Sequence, residues 1–347
     1  MAEEPIHVIR ESTRVLLKLN RQQQRDEVSD VNRSMDEIRI STESVSNIAL
    51  KLKTKTCITV SDLQMLKNGL MDDPNNQTIV LNTHGALRGL VRELTGHEVR
   101  KQCAAAGCLC NLALGDSRAS NTIAKASGSY LVTALDNLTT ELAVTCAWTI
   151  GNLAGSCPRV CELLISQGAL SKLCDMLKGN DDVQDAALYA LVHFAYQFKD
   201  ELRVEHLIRM LQDLSKIQLT MSSSQLLFIL SCHKHFPENI TEDLLKKVLD
   251  DIPKTIDTHL SSCMIGYKGN SCCKLNYLFR ILANMDTRAY SPILEYFITN
   301  NVSENLSKIL SMENKSLCES LLWLLGNLFN YDGNNVFFTR LPLKCTS

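Results

Sequence analysis

The sequence holds two tryptophans, Trp148 and Trp323, and each stands four residues before an asparagine, Asn152 and Asn327. On a helix that spacing sets indole and carboxamide side by side. An indole face holds the stem and charge of a Lys or Arg side chain, worth about 0.5–2 kcal/mol per contact. A carboxamide offers both a donor and an acceptor to the backbone of an extended peptide. The chemistry these pairs suggest is recognition and not bond making. No Gly-rich phosphate loop, nucleophile elbow or His-Glu-x-x-His run accompanies them. Cys232-His-Lys-His235 is the densest set of metal-ligand types, with no obvious source for the remaining ligands. His193 reads as a satisfied histidine and not a catalytic base. The expectation is a protein that is not an enzyme and needs no metal or other cofactor.

The elements carrying these pairs are helices. At 100° per residue, Leu142, Cys146, Ile150 and Leu153 form one apolar stripe, and Trp148 and Asn152 lie roughly opposite it. Leu317, Leu321, Leu324 and Leu328 form the same stripe beneath Trp323 and Asn327. Packing of both indoles between neighbouring elements is the competing reading. Their shared register, each with its own asparagine, favours a binding ladder.

The segments repeat. Cys103-Ala-Ala-Ala-Gly-Cys-Leu-Cys-Asn-Leu-Ala113, Val144-Thr-Cys-Ala-Trp-Thr-Ile-Gly-Asn-Leu-Ala154 and Glu319-Ser-Leu-Leu-Trp-Leu-Leu-Gly-Asn-Leu-Phe329 align on their asparagines. Asn111 to Asn152 is a step of 41, and the same step again reaches His193. Weaker copies are placed at Cys232, Arg280 and Asn327, at steps of 39, 48 and 47. Between copies, Asn75–Leu87 and Pro158–Leu170 each read as a short helix, a Gly-Ala turn and a second helix. A period near 40 with three helices per unit predicts an all-α armadillo-repeat solenoid, a right-handed superhelix with an N-terminal helical arm. No single unit buries its apolar face alone, so stability comes from stacking. The expected organisation is an arm over 1–41, a flexible linker over 42–58, repeats over 59–330 and a tail over 331–347.

Composition agrees. The 347 residues are 45% hydrophobic and 21% charged, with 36 basic and 38 acidic side chains and a net charge of −2. That balance gives no bulk positive field for nucleic acid, and aromatics at 5% argue against a β-rich fold. No apolar run is long enough to span a membrane. Among the fourteen cysteines there is no Cys-x-x-Cys. Several lie in apolar helical runs, where a reduced thiol behaves as a small hydrophobe.

Ala147-Trp-Thr-Ile-Gly-Asn-Leu-Ala-Gly155, followed by Glu162-Leu-Leu-Ile-Ser-Gln-Gly-Ala-Leu170, resembles the importin-α nuclear-import adaptors, and in particular their divergent transmembrane-and-coiled-coil-domain branch. The resemblance covers 59–330 and is strongest over 74–195. It implies a ladder that grips basic nuclear-localisation peptides in a concave groove. Carried over slot by slot, Gly107/Asn111 is a pair that has lost its Trp, and Trp148/Asn152 is complete. Tyr189/His193 is altered at both places, and Phe228/Cys232 and Asn276/Arg280 have lost the pattern. Trp323/Asn327 matches a slot of the family's smaller second groove. Ser156 stands where the family has an aspartate that pairs with a key lysine, so weaker binding is expected. The family's further repeats, which bind an export factor, are expected to be missing here.

Arg10, Arg14, Lys18, Arg21 and Arg25 fall on one helical face ahead of the repeats. They read either as a solvated face or, by the same resemblance, as a worn arm for an importin-β-type carrier. Lys51-Leu-Lys-Thr-Lys55 reads as solvated, with mimicry of a cargo signal as the sharper alternative. The resemblance implies a cytoplasmic and nuclear adaptor whose partners are protein or peptide cargo with basic segments, with no nucleic acid and no membrane. The other reading is a scaffold or regulatory solenoid that has lost import activity.

Overall fold

The computed structural model describes residues 40–54, 57–198, 201–264, 271–312 and 314–339. The chain divides into two units, Met1–Ser41 and Thr42–Ser347. Arg10, Arg14, Lys18, Arg21 and Arg25 lie outside the described residues.

The local rules that build one repeat are clear at 157–198. Pro158 opens the first helix, Pro158–Ser166, where its missing N–H costs nothing. Gly168 follows with φ +89°, a left-handed conformation that glycine adopts without a Cβ clash, and the second helix is Ala169–Met176. Asn180 then caps the long third helix, Asp181–Phe198, its Oδ1 accepting from the Val183 N–H at 3.1 Å. The unit at 74–112 follows the same plan: Pro74–Asn82, Gly85 at φ +95°, Ala86–Leu94 and Val99–Leu112. In between, Ser117–Ala134 runs as one helix through Gly128, so its first two helices are fused, and Thr140–Ala154 is its third. A Cβ at position 128 would lie 2.4 Å from Gln167 Oε1 of the next unit, so Gly128 leaves the room that this side chain fills.

Seven long helices, Val60–Asp72, Val99–Leu112, Thr140–Ala154, Asp181–Phe198, Met221–Ser231, Ser271–Ala283 and Lys315–Asp332, each pack against the next. No strand occurs among the described residues. The expected stripes are the core: Leu142, Cys146, Ile150 and Leu153, and Leu317, Leu321, Leu324 and Leu328, are all buried. A fully buried Leu or Ile side chain is worth about 1.5–3 kcal/mol. Three-helix units stacked through their third helices make this an all-α armadillo-type solenoid.

Two expected boundaries are corrected. The linker expected at 42–58 is helical over Thr42–Thr54 and buries Val45, Ile48, Ala49 and Leu52. Its backbone runs so close to Ala86–Leu94 that a Cβ on Gly89 would sit 2.6 Å from the Leu52 carbonyl. It is the second helix of a first repeat whose third helix, Val60–Asp72, starts at a capping box between Thr59 and Asp62. Lys51 pairs with Asp62 at 2.8 Å, and the Lys53 stem lies against Gly85, so these two lysines are held at the helix pair; Lys55 lies outside the described residues. The tail expected from 331 begins as helix, since the last third helix continues to Asp332. A short turn, Val336–Thr339, then buries Phe337 against Phe297 at 5.6 Å between ring centroids.

Candidate functional site

The third helices carry the ladder positions. Trp148 is 37% exposed and Trp323 57% exposed, both off the buried stripe. The asparagines behave differently. Asn152 and Asn111 are only 7% and 8% exposed, because each third helix is flanked on both sides by other third helices. Asn152 Nδ2 donates to the Cys110 carbonyl at 3.0 Å, and Asn327 Nδ2 to the Ala283 carbonyl at 2.8 Å. Asn111 Nδ2 likewise donates to the Lys67 carbonyl at 2.8 Å. Cys110 and Ala283 sit in the last turns of their helices, where carbonyls have no intrahelical partner. At Asn111, Asn152 and Asn327 the ladder therefore staples one repeat to the one before it, with those amides bonded into the fold.

That bonding pattern also corrects the register. Asn152 reaches the residue just before Asn111, and Asn327 reaches the residue just before Asn284. The ladder residue of the sixth repeat is thus Asn284, whose Nδ2 donates to Ser231 Oγ at 2.9 Å. Arg280, four residues earlier, stands in the tryptophan slot, so the pair is Arg280/Asn284 and not Asn276/Arg280. The long second helix of that repeat, Glu242–Met264, lengthens the unit and hid the match.

The tryptophan slots from the second repeat onward are then Gly107, Trp148, Tyr189, Phe228, Arg280 and Trp323. At Gly107 the missing indole is replaced by the Lys67 stem, whose Cδ would lie 2.7 Å from a Cβ built there. Tyr189 does not present an open face. Its ring packs on Gly151, its hydroxyl donates to Asn152 Oδ1 at 2.8 Å, and it meets His193 edge-on at 4.8 Å. His193 packs in turn on Gly155. Phe228 stacks on Tyr277 at 5.5 Å. The Arg280 guanidinium lies over the Trp323 ring, 5.7 Å from its centroid, and its Nε donates to Ser320 Oγ at 3.0 Å. Trp148 is left as the slot whose indole no cation of the described residues covers.

The third helices around Trp148 carry charges of both signs at their N-terminal ends, with Arg100 on the preceding helix and acids on its own and the following one. Glu141, two helical turns before Trp148 on the same face, is exposed. Asp182 takes the corresponding place on the next third helix, with Asp181 and Asp185 beside it. Burial and the neighbouring carboxylates of Asp181 and Asp182 push the Asp185 carboxyl above its usual value. These acids went unnoticed in the sequence, where the step of 41 that relates Glu141 to Asp182 was already available. Ser156 supplies no charge: its hydroxyl donates to the Leu153 carbonyl at 2.7 Å.

The thiols fit core roles. Burial pushes Cys108 and Cys174 up to about 12, and Cys146 and Cys161 up as well, leaving them poor nucleophiles. Cys232-His-Lys-His235 follows the helix Met221–Ser231, and His233 Nε2 lies 3.0 Å from the Leu202 carbonyl. Among the described residues no group of three His, Cys, Asp or Glu side chains is arranged to hold a metal, and no helix is long and apolar enough to cross a membrane.

No family model matches the sequence, and no curated protein does. Solved structures do resemble the fold. One engineered protein superposes with a TM-score of 0.63 at 18% identity, over 82% of this chain and 68% of its own. A designed armadillo repeat protein aligns over 82% of this chain and 99% of its own, at 17% identity and a TM-score of 0.47. A computationally designed armadillo repeat protein for modular peptide recognition aligns with the same coverage at 16% identity and 0.46. At 18% identity the likeness to the first of these concerns the fold alone.

Proposed function

We propose that the chain is a protein-binding adaptor of the nuclear-import type, serving cytoplasm and nucleus, that takes an extended basic segment along its third helices. The observation that carries this reading is Trp148: an indole held on a rigid helix, over a third exposed, with Glu141 on its own face and the Asp181–Asp185 acids on the neighbouring helix. A Lys or Arg stem laid on that ring gains stacking and cation–π attraction while its charge meets the carboxylates. Recognition of an importin-β-type carrier by the basic residues at 10–25 belongs to the same proposal. A chain of this kind carries no catalytic chemistry of its own.

The test is fluorescence anisotropy of a labelled Lys-rich localisation peptide against the wild type and Trp148→Ala at low and physiological salt. Saturable binding that weakens with salt and drops about 2- to 30-fold in the variant is expected, matching the cation–π range. Absence of binding by folded wild type sinks the proposal.

One observation favours a second reading. Tyr189 and His193 are packed onto Gly151 and Gly155, so the slot next to Trp148 is filled from within. A scaffold that kept the repeat shape and lost import activity has this feature. Repeated with a neutral peptide of the same length, the titration then gives the same affinity as with the Lys-rich one.

A further inference from the structure

We propose that Arg280 is a built-in occupant of the Trp323 slot, closing it to cationic side chains from outside and confining recognition of a basic segment to Trp148. The proposal rests on the reading above that cations on indole faces are what the ladder binds. Trp323 is the more exposed of the two indoles and has the same stripe, spacing and asparagine as Trp148. By residue type it is as good a slot, and Gly326 beside it meets no neighbouring atom within 4 Å. What differs is the preceding repeat. Gly107 precedes Trp148 in the ladder, whereas Arg280 precedes Trp323 and lays its guanidinium on the ring.

Three features make this occupancy specific. Arg280 stands in the tryptophan register, as fixed by Asn284 and Asn327, so its reach to the next slot follows from the repeat geometry. Its Nε bond to Ser320 Oγ anchors the plane of the guanidinium, and Ser320 is itself buried on the helix that carries Trp323. Finally, a cation already on the ring takes one of its two faces and repels a second positive charge at close range from the rest of the exposed indole. Arg280 is therefore a specificity-determining residue: it converts a two-slot ladder into a one-slot reader.

The experiment uses the full chain and reads each indole separately by intrinsic fluorescence during titration with a short peptide of alternating Lys and Arg. Trp148→Phe leaves Trp323 as the reporter, and Trp323→Phe leaves Trp148. In the Trp148→Phe background, Arg280→Met keeps an unbranched stem and removes the charge, while Arg280→Lys keeps a cation; folding is checked by circular dichroism. The expected result is no Trp323 response with Arg280 or Lys at that position, and a saturable, salt-sensitive response with Met. Two outcomes overturn the proposal: a Trp323 response with Arg280 intact, or none in folded Arg280→Met. The Trp323→Phe chain tests the underlying reading independently. If Trp148 is silent there while Arg280→Met awakens Trp323, the adaptor reading at Trp148 falls and the role of Arg280 stands.

Discussion

The Asn152 side-chain amide donates to the carbonyl of Cys110 at 3.0 Å, joining the third helices of two adjacent repeats. Asn152 is buried, and the carbonyl lies in the last turn of its helix. Asn152→Ala removes the amide that bonds this carbonyl and the oxygen that accepts from the Tyr189 hydroxyl, so a loss of about 1–3 kcal/mol is expected in urea unfolding. Trp148→Ala, by contrast, is expected to cost little stability and to act on binding. A pair of variants with those effects exchanged contradicts the division of labour between the two residues.

Gly151 and Gly326 occupy the same ladder position and are expected to respond oppositely to alanine. A Cβ at 151 would lie 2.7 Å from the Tyr189 ring and 3.0 Å from the Ala190 Cα, so Gly151→Ala forces two helices apart at about 1–3 kcal/mol. At 326 there is no such neighbour, and Gly326→Ala is expected to stabilise the helix by up to about 1 kcal/mol. Thermal melts of the two variants against wild type decide this.

Acid is expected to weaken the solenoid through Asp213. Burial acts to raise this carboxyl, and hydrogen bonds from Lys216 at 2.9 Å and Arg209 at 2.7 Å outweigh it and hold the group below its usual value. A depressed carboxylate contributes stability that is present above its unfolded value, near 3.9, and is lost as pH falls through the folded one. Asp213→Asn should therefore cost about 1–3 kcal/mol at neutral pH, and its deficit should shrink below about pH 4. A deficit independent of pH refutes the assignment.

Binding should carry its own pH signature. Asp185 is held above its ordinary value by burial and by Asp181 and Asp182, so its protonation begins at a higher pH than that of an ordinary aspartate. A basic peptide prefers the ionised carboxylates. Its affinity is expected to fall on acidification through the carboxylate range, and Asp185→Asn should flatten the early part of that fall. Isothermal titration at a series of pH values measures both.

Much of the fold was legible because the repeat is written in side-chain type. Asn111, Asn152 and the step to His193 gave the period, and the leucine stripes gave the buried faces. The first repeat was missed because Ser, Thr and Lys dominate 41–55, although Val45, Ile48, Ala49 and Leu52 already keep helical spacing. The sixth slot was misplaced because the long helix at 242–264 breaks the period, and a step count has no means of absorbing an insertion. The exposure of Trp148 followed from helix geometry alone. The burial of Asn152 did not, since it depends on a neighbouring helix that lies 42 residues away in the chain.

The asparagine staples all point one way, each from a later repeat to an earlier one. At Asn152 and Asn327, losing the later repeat takes the partner from a carbonyl in the last turn of a helix, while losing the earlier repeat merely returns a carboxamide to water. Neighbour coupling in this solenoid is thus polar, like overlapping roof tiles. Under a pulling force or a creeping protease, damage that starts at the later end of the array loosens the next tile inward. Damage from the earlier end meets helices whose caps are still in place.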